Sequence, residues 1–398
     1  KKGVWKRRLT AAKKEASLVV EGILQRAISK NSVSRETLEL PEGLLEEFEG
    51  SFEFSDTPDQ ITCWKEIYKD LCQNTYMERV LCGDVGFGKT ELAIRATFVV
   101  SLNGLYTLVV CPTALLSEQL FKSFRKRLAP FGVEVRSHSR FLSSAEKKSV
   151  EKNFVSGKTN VLIGTHSIIR NDNLLNKASL VIVDEEHRFG VKDKEKIDQK
   201  GKHKDLLFLS ATPIPRTLDM SLKGYKSLSL LLTPPAGRLS VKTLIQYFNI
   251  RLIKNNILSE VGRGGQVFVV HNNIKSLPAL KSRISHALPG ITIESIHGQQ
   301  NTKTIEKTMQ RFIKNEISVL LSTIIVGAGL DISNVNTIII NNAHLFGLAQ
   351  LHQLRGRVGR SRLQAFCYFL VPEKYSLSDK MIQRLKAVEK QCGLGSGY

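Results

Sequence analysis

Gly83-Asp84-Val85-Gly86-Phe87-Gly88-Lys89-Thr90 follows the short apolar run Val80-Leu81-Cys82 and precedes a helix-like stretch, Glu91-Leu92-Ala93-Ile94-Arg95-Ala96-Thr97-Phe98-Val99-Val100. A strand, a loop spaced G-x-x-x-x-G-K-[ST] and a helix, in that order, describe a phosphate-binding loop. Its backbone N–H groups wrap phosphate oxygens at a helix N-terminus, Lys89 reaches the terminal phosphates, and Thr90 offers a hydroxyl to magnesium. Gly83, Gly86 and Gly88 let the backbone approach the phosphates without side chains in the way. Further along, the apolar run Leu180-Val181-Ile182-Val183 ends in Asp184-Glu185-Glu186-His187. A strand there aims Asp184 at magnesium, partly through water, and Glu185 at the attacking water, the carboxylate tasks that phosphoryl transfer needs.

Working outward, apolar runs alternate with helical stretches at 80–82, 107–111, 133–137, 161–164, 180–183 and 206–210. Strands this apolar are covered on both faces, so the sheet is expected to be parallel. Thr233-Pro234-Pro235-Ala236-Gly237 breaks the pattern, which restarts at 243–247, 266–270, 292–296, 319–322, 337–340 and 365–370. Two doubly wound α/β domains in series account for this. In such sheets ligands bind beyond the carboxyl ends of the strands, and Gly83, Pro112, Thr165, Asp184, Ser210, His271, Thr323 and Asn341 fall there.

Before the first domain, residues 1–30 carry Trp5, Lys6, Arg7, Arg8, Lys13 and Lys14, then Leu18, Val19, Ile23, Leu24 and Ile28 at helical spacing. This basic amphipathic helix either packs on a neighbouring domain or touches DNA. Glu36, Glu39, Glu42, Glu46, Glu47, Glu49 and Glu53 then reverse the sign, in what reads as a linker with a short helix. The whole chain of 398 residues has a formal charge of +21 and a pI near 9.7, which favours nucleic acid as partner over an anionic membrane. No apolar run approaches the roughly 20 residues that span a bilayer and no apolar signal core stands near residue 1, so the expected setting is cytoplasmic. Six cysteines, at 63, 72, 82, 111, 367 and 392, form no C-x-x-C pair. They read as reduced, with Cys82 and Cys111 in core strands, and magnesium is the metal to expect.

Phosphoryl transfer also calls for arginine at the developing charge, often from a facing domain. Gln353-Leu354-Arg355-Gly356-Arg357-Val358-Gly359-Arg360-Ser361 supplies it, with Arg357 and Arg360 as phosphate sensors and Gln353 beside them. With this stretch, Thr57-Pro58-Asp59-Gln60, GDVGFGKT, Pro112-Thr113-Ala114-Leu115-Leu116-Ser117-Glu118, Gly164-Thr165-His166, DEEHRFG, Ser210-Ala211-Thr212-Pro213-Ile214-Pro215-Arg216-Thr217 and Gly327-Ala328-Gly329-Leu330-Asp331 run in the order of superfamily two helicase motifs. The wording most closely resembles the translocase module of bacterial transcription-repair coupling factors. The resemblance covers nearly the whole chain, from the basic first helix to Leu394-Gly395-Ser396-Gly397.

The resemblance implies two tandem RecA-like doubly wound domains: an ATP-binding lobe over 51–235 after the helix and linker of 1–50, a helicase C-terminal lobe over 236–372, and the first arm of a truncated helical hairpin over 373–398, containing Arg384. It implies ATP and Mg2+ as cofactors and double-stranded DNA held by its backbone. Gln60 would read adenine, with Phe54 or a nearby aromatic stacking on it. Thr113, Thr165, His166, Asn272 and Thr323 would touch the phosphates of one strand. Ser210 and Thr212 would couple phosphate state to lobe closure, and Gly329 and Asp331 would join DNA contact to the nucleotide. RNA polymerase and excision-repair proteins would be reached only through domains without counterpart here, which suggests a monomer that is either a piece of a longer protein or a natural short form. Gly327, where the family pattern is acidic, Ser333, where it has proline, and the absent second hairpin arm depart from the family. Two other functions stay open: a branch-migration helicase resembling the RecG family, and a non-hydrolysing DNA-binding module.

Overall fold

The computed structural model describes residues 37–39, 43–200, 203–210, 227–323, 332, 334–359, 363–372 and 378–390. The basic helix of 1–30, Thr212, Gly327, Gly329, Asp331, Ser333, Arg360 and the stretch 394–397 lie outside the described residues. The chain divides into two compact units, Lys1–Gly83 with Gly88–Leu231, and Asp84–Phe87 with Leu232–Tyr398.

Among the described residues, seven parallel strands build the first unit: β1 Glu78–Gly83, β2 Thr107–Val110, β3 Val135–His138, β4 Val161–Gly164, β5 Leu180–Asp184, β6 Asp205–Ser210 and β7 Ser227–Leu231, in the order β3-β4-β2-β5-β6-β1-β7. Every residue of β2, β4 and β6 is buried, as continuous apolar runs under helices on both faces require. Val80, Cys82, Leu108, Val110, Leu162, Val181, Val183 and Phe208 form one side of the core with Phe154 and Ile168 from the helices. Each such side chain stabilises by about 1.5–3 kcal/mol relative to exposure. Sequence reading left out β7. Its Ser-Leu-Ser-Leu-Leu pattern exposes Ser227 and Leu230 while burying Ser229 and Leu231, the period of a half-covered edge strand.

The helices of this unit are α1 Leu44–Gly50, α2 Pro58–Leu71, α3 Lys89–Leu102, α4 Ala114–Leu128, α5 Ser144–Val155, α6 His166–Arg170, α7 Asp172–Lys177 and α8 Val191–Lys200. α3 is buried at every position from Glu91 to Ser101, so it needs no apolar stripe and has none. The acidic segment contributes to the core as well. Phe48 of α1 is fully buried, stacked on Phe98 of α3 at 3.9 Å and meeting Phe131 edge-on at 5.1 Å.

The second unit holds β8 Lys242–Tyr247, β9 Gln266–His271, β10 Ile293–Ile296, β11 Val319–Ser322, β12 Val335–Asn341 and β13 Phe366–Val371, all parallel, in the order β10-β11-β9-β12-β13-β8. Its helices are α9 Ile250–Gly262, α10 Leu277–Ala287, α11 Thr302–Ile313, α12 Leu348–Arg355 and α13 Asp379–Lys390. Ile253, Ile257, Val267, Val269, Ile284, Val319, Leu321 and Ile339 pack one face of the sheet.

α13, the expected first hairpin arm, is docked on this unit. Leu385 and Val388 are buried, Arg355 Nη1 donates to Val388 O at 3.1 Å, Arg384 donates to His344 O, and Glu389 Oε1 accepts the edge N–H of Ile245 at 3.3 Å. A carboxylate on a free strand edge satisfies a donor that would otherwise need water or another strand. Among the described residues, no helix is long and apolar enough to cross a membrane. Cys63, Cys72, Cys82, Cys111 and Cys367 are free, and burial pushes the Cys63 and Cys82 thiols up to about 11.

Candidate nucleotide site and nucleic-acid edge

Strand order brings the chemistry of the first unit together. β1, β6 and β5 are neighbours, with Cys82 paired to Ser210 and Asp184 paired to Leu209. At about 4.8 Å per strand, the carboxyl ends that lead into Gly83, Ser210 and Asp184 form one short row. Lys89, the first residue of α3, donates from Nζ to Gly83 O at 2.5 Å, and Thr90 follows it, half-buried.

Each glycine of the loop has its own reason. A Cβ on Gly83 would lie 2.7 Å from Leu231 Cβ of β7, so the first glycine is required by packing. Gly86 and Gly88 have φ of 79° and 88°, the left-handed region that favours glycine. A Cβ on Gly88 would also fall 2.1 Å from Gln60 Nε2, so the Gln60 amide lies directly against the loop. Gln60 is buried within a capping box: its Oε1 accepts from Thr57 N at 2.8 Å and its N–H donates to Thr57 Oγ1 at 3.2 Å. Phe54 is 62% exposed near the start of α2.

Asp184 ends β5, half-buried, and Glu185 turns the chain with φ 54° and ψ 50°. A glutamate in the left-handed region is uncommon, and such strain collects at functional sites. The turn is held by Glu185 N donating to Leu209 O at 3.0 Å and by Arg188 N donating to Glu185 O at 2.9 Å. Sequence reading passed over a second copy of this turn in the other unit. Asn342 follows β12 with φ 54° and ψ 46°, then come a single 3-10 turn, the buried Phe346 and Gly347. Asp184-Glu185-Glu186-His187-Arg188-Phe189-Gly190 and Asn341-Asn342-Ala343-His344-Leu345-Phe346-Gly347 thus share a backbone course, with neutral amides in place of Asp184 and Glu185 and an alanine in place of Glu186. The shared H-x-F-G beyond a strand was the signal available. In the second unit the Asn341 amide meets His271 Nδ1 at 3.1 Å, and Ser276 Oγ lies 2.7 Å from Nε2. Burial holds the His271 pKa below the ordinary range.

Three of the residues expected to touch DNA, Thr113, Thr165 and His166, sit on the other half of the first sheet's edge. Thr113 follows β2 and caps α4, its Oγ1 accepting from Leu116 N at 3.2 Å. Thr165 and the exposed His166 follow β4, with Thr165 Oγ1 3.4 Å from Ser167 Oγ. Beyond them, after β3, Arg140 and Phe141 are exposed on the same edge, a pair the sequence reading did not single out. In the second unit Asn272 is exposed after β9, whereas Thr323 after β11 is buried at 7% exposure and its Oγ1 bonds nothing among the described residues. Gln353 is exposed on α12 and Arg357 is half-buried just past its end. Arg355 is buried and bound to α13.

Residues 57–221 match the DEAD/DEAH box helicase family and residues 249–362 the helicase conserved C-terminal domain. The chain is 44% identical over 351 residues to the transcription-repair-coupling factor of Borreliella burgdorferi, which covers 88% of the chain and 31% of that protein. It is 42% identical to the same factor of Escherichia coli, over 87% of the chain and 30% of the relative. A chloroplastic ATP-dependent DNA helicase of Arabidopsis thaliana is 40% identical over 99% of the chain and 48% of its own length. The chain therefore spans about a third of the length of the coupling factors it matches. Among solved structures, RecG bound to a three-way DNA junction superposes with a TM-score of 0.80 at 29% identity, over 94% of this chain and 50% of that one. Both lobes, the order of their motifs and these relatives agree that the chain belongs to the superfamily two helicases, a family of ATP-hydrolysing motors, and within it to the motor module of the transcription-repair-coupling factors.

Proposed function

We propose that this chain is an ATP-driven motor that moves along double-stranded DNA, serving as the translocase of a factor that couples transcription to DNA repair. The observation that supports this most is the row formed by the carboxyl ends of the neighbouring strands β1, β6 and β5, with Ser210 and Asp184 at two of those ends, Glu185 just after Asp184, and Lys89 donating back to Gly83 at the third. ATP is the substrate, its phosphates in the loop of Gly83, Gly86 and Gly88 and its adenine read by Gln60. One hydroxyl, from Thr90, and one carboxylate, from Asp184, suit magnesium, which keeps waters and phosphate oxygens as its other ligands. When bound, the ion neutralises phosphate charge. Glu185 orients the attacking water, and Arg357 and Arg360, with Gln353 beside them, answer the charge that develops on the transferred phosphoryl group. Thr113, Thr165, His166, Asn272 and Thr323 hold the DNA backbone, with Thr323 needing to uncover its buried hydroxyl. Contacts of this kind carry little base preference. RNA polymerase and excision-repair proteins are partners of the longer protein.

Steady-state ATP hydrolysis at low salt, with and without linear duplex, tests the proposal, with Glu185→Gln as the blank. Turnover absent from the blank and raised by duplex is the expected result. Turnover indifferent to DNA removes the translocase reading, and no turnover at all leaves a DNA-binding module. Similarity to RecG makes fork remodelling the second reading. Unwinding of forked DNA in preference to displacement of a block from linear duplex would put it first.

A further inference from the structure

We propose that Arg95 acts through Asp56 as a positioning residue that sets Gln60 against the phosphate loop, so that one helix fixes both the purine end and the phosphate end of the nucleotide. This rests on Gln60 as the base reader. α3 opens with Lys89 and Thr90, and Arg95 lies further along the same helix with 1% of its surface exposed. Its guanidinium forks onto Asp56, Nη1 to Oδ2 at 2.9 Å and Nη2 to Oδ1 at 3.0 Å, while Nε donates to Glu91 Oε1 at 3.3 Å. Glu91 in turn accepts Arg127 of α4 on both oxygens, from Nη2 at 2.8 Å and from Nε at 3.2 Å. Arg127 also donates to Phe48 O at 3.0 Å and lies 4.4 Å over the Phe48 ring.

Asp56 immediately precedes Thr57, the cap residue whose N–H and hydroxyl both bond Gln60. Peptide and hydrogen bonds therefore run without a gap from the helix of Lys89 to the amide that lies against Gly88. Two carboxylates and two guanidiniums cancel, so the buried network carries no net charge. Such a network adds little stability over apolar side chains of the same size, but a bidentate fork fixes direction as well as distance. An apolar contact would hold the segment down equally well and let it slide. The fork does not, and sliding of this segment would change the distance between base and triphosphate.

The test uses the full chain with Asp56→Asn and Arg95→Lys, the second keeping the charge and losing the fork. Measured are kcat and KM for ATP and GTP, the inhibition constant of inorganic tripolyphosphate, and the melting temperature. KM for ATP is expected to rise about tenfold with kcat within about twofold, as loss of a charge-assisted bond that acts on binding predicts. The preference for ATP over GTP falls by the same factor, and tripolyphosphate inhibition stays where it was. An unchanged ATP preference overturns the proposal, and so does tripolyphosphate weakening in step with ATP, which would mean general damage to the loop. Should Arg95→Lys fail to fold, Asp56→Asn decides, because that carboxylate is 22% exposed. If the parent shows no preference for ATP over GTP while Lys89→Ala still abolishes turnover, Gln60 is not the base reader and the proposal falls with that assignment.

Discussion

Lys89 and Glu185 carry the sharpest single-residue expectations. Lys89→Ala and Glu185→Gln should each lower kcat by on the order of a hundredfold or more, because positioning and charge neutralisation are most of what a phosphoryl-transfer site does. Neither change should move the melting temperature much, since both side chains are only half-buried. The glycines separate two roles that share one motif. Gly83→Ala forces Leu231 and the edge strand β7 away, a cost of about 1–3 kcal/mol readable in urea unfolding. Gly88→Ala meets Gln60 Nε2 at 2.1 Å in a backbone with φ 88°, so the loss should appear in ATP affinity. The motif spacing made all three glycines legible, but only the register of β1 on β7 shows that the first serves packing. Thr323 teaches the converse: a residue placed at a strand end by its motif is buried in the folded chain.

Among the elements, α13 and its anchors are the most exposed to test. Arg355→Ala removes the bond to Val388 O and should speed amide hydrogen exchange across 379–390, with a stability cost of about 1–3 kcal/mol for a buried charged partner lost. Three histidines of the second unit are held neutral. Burial lowers the pKa of His271, of His344 with help from Arg384, and of His352 with help from Arg355. A lowered folded-state pKa means that the unfolded chain takes up its proton first as pH falls. The stability is therefore whole above the ordinary 6.5 and is lost as pH drops from there to the lowered values. Melting curves between about pH 7.5 and 5.5 should show this loss, and His352→Gln should make it smaller. Apolar runs located twelve of the thirteen strands among the described residues to within two residues at each end, since continuous burial leaves a continuous apolar run. β7 escaped because an edge strand buries one face only and its serines read as loop.

At the scale of the whole chain the charge of +21 suits the DNA partner proposed above. Binding through phosphates releases counterions, so duplex affinity should fall by about three powers of ten between roughly 50 and 200 mM salt if about six phosphates are neutralised. A flat salt response would remove the backbone-contact reading. The sequence alone determined that there are two parallel α/β units, that the first carries a phosphate loop with a carboxylate pair, and which family the motifs belong to. Those features live in short stretches whose spacing is set by the chain itself. Only the tertiary structure decided that β6 stands between β1 and β5, so that the residues proposed to hold the nucleotide fall on one half of the edge while Thr113, Thr165 and His166 fall on the other. It alone joined Asp56 to Arg95, and it showed the Asp184 turn repeated with amides at Asn341. Strand order and buried ion pairs arise from packing between segments far apart in the chain, and no local pattern of residues records which segments will meet.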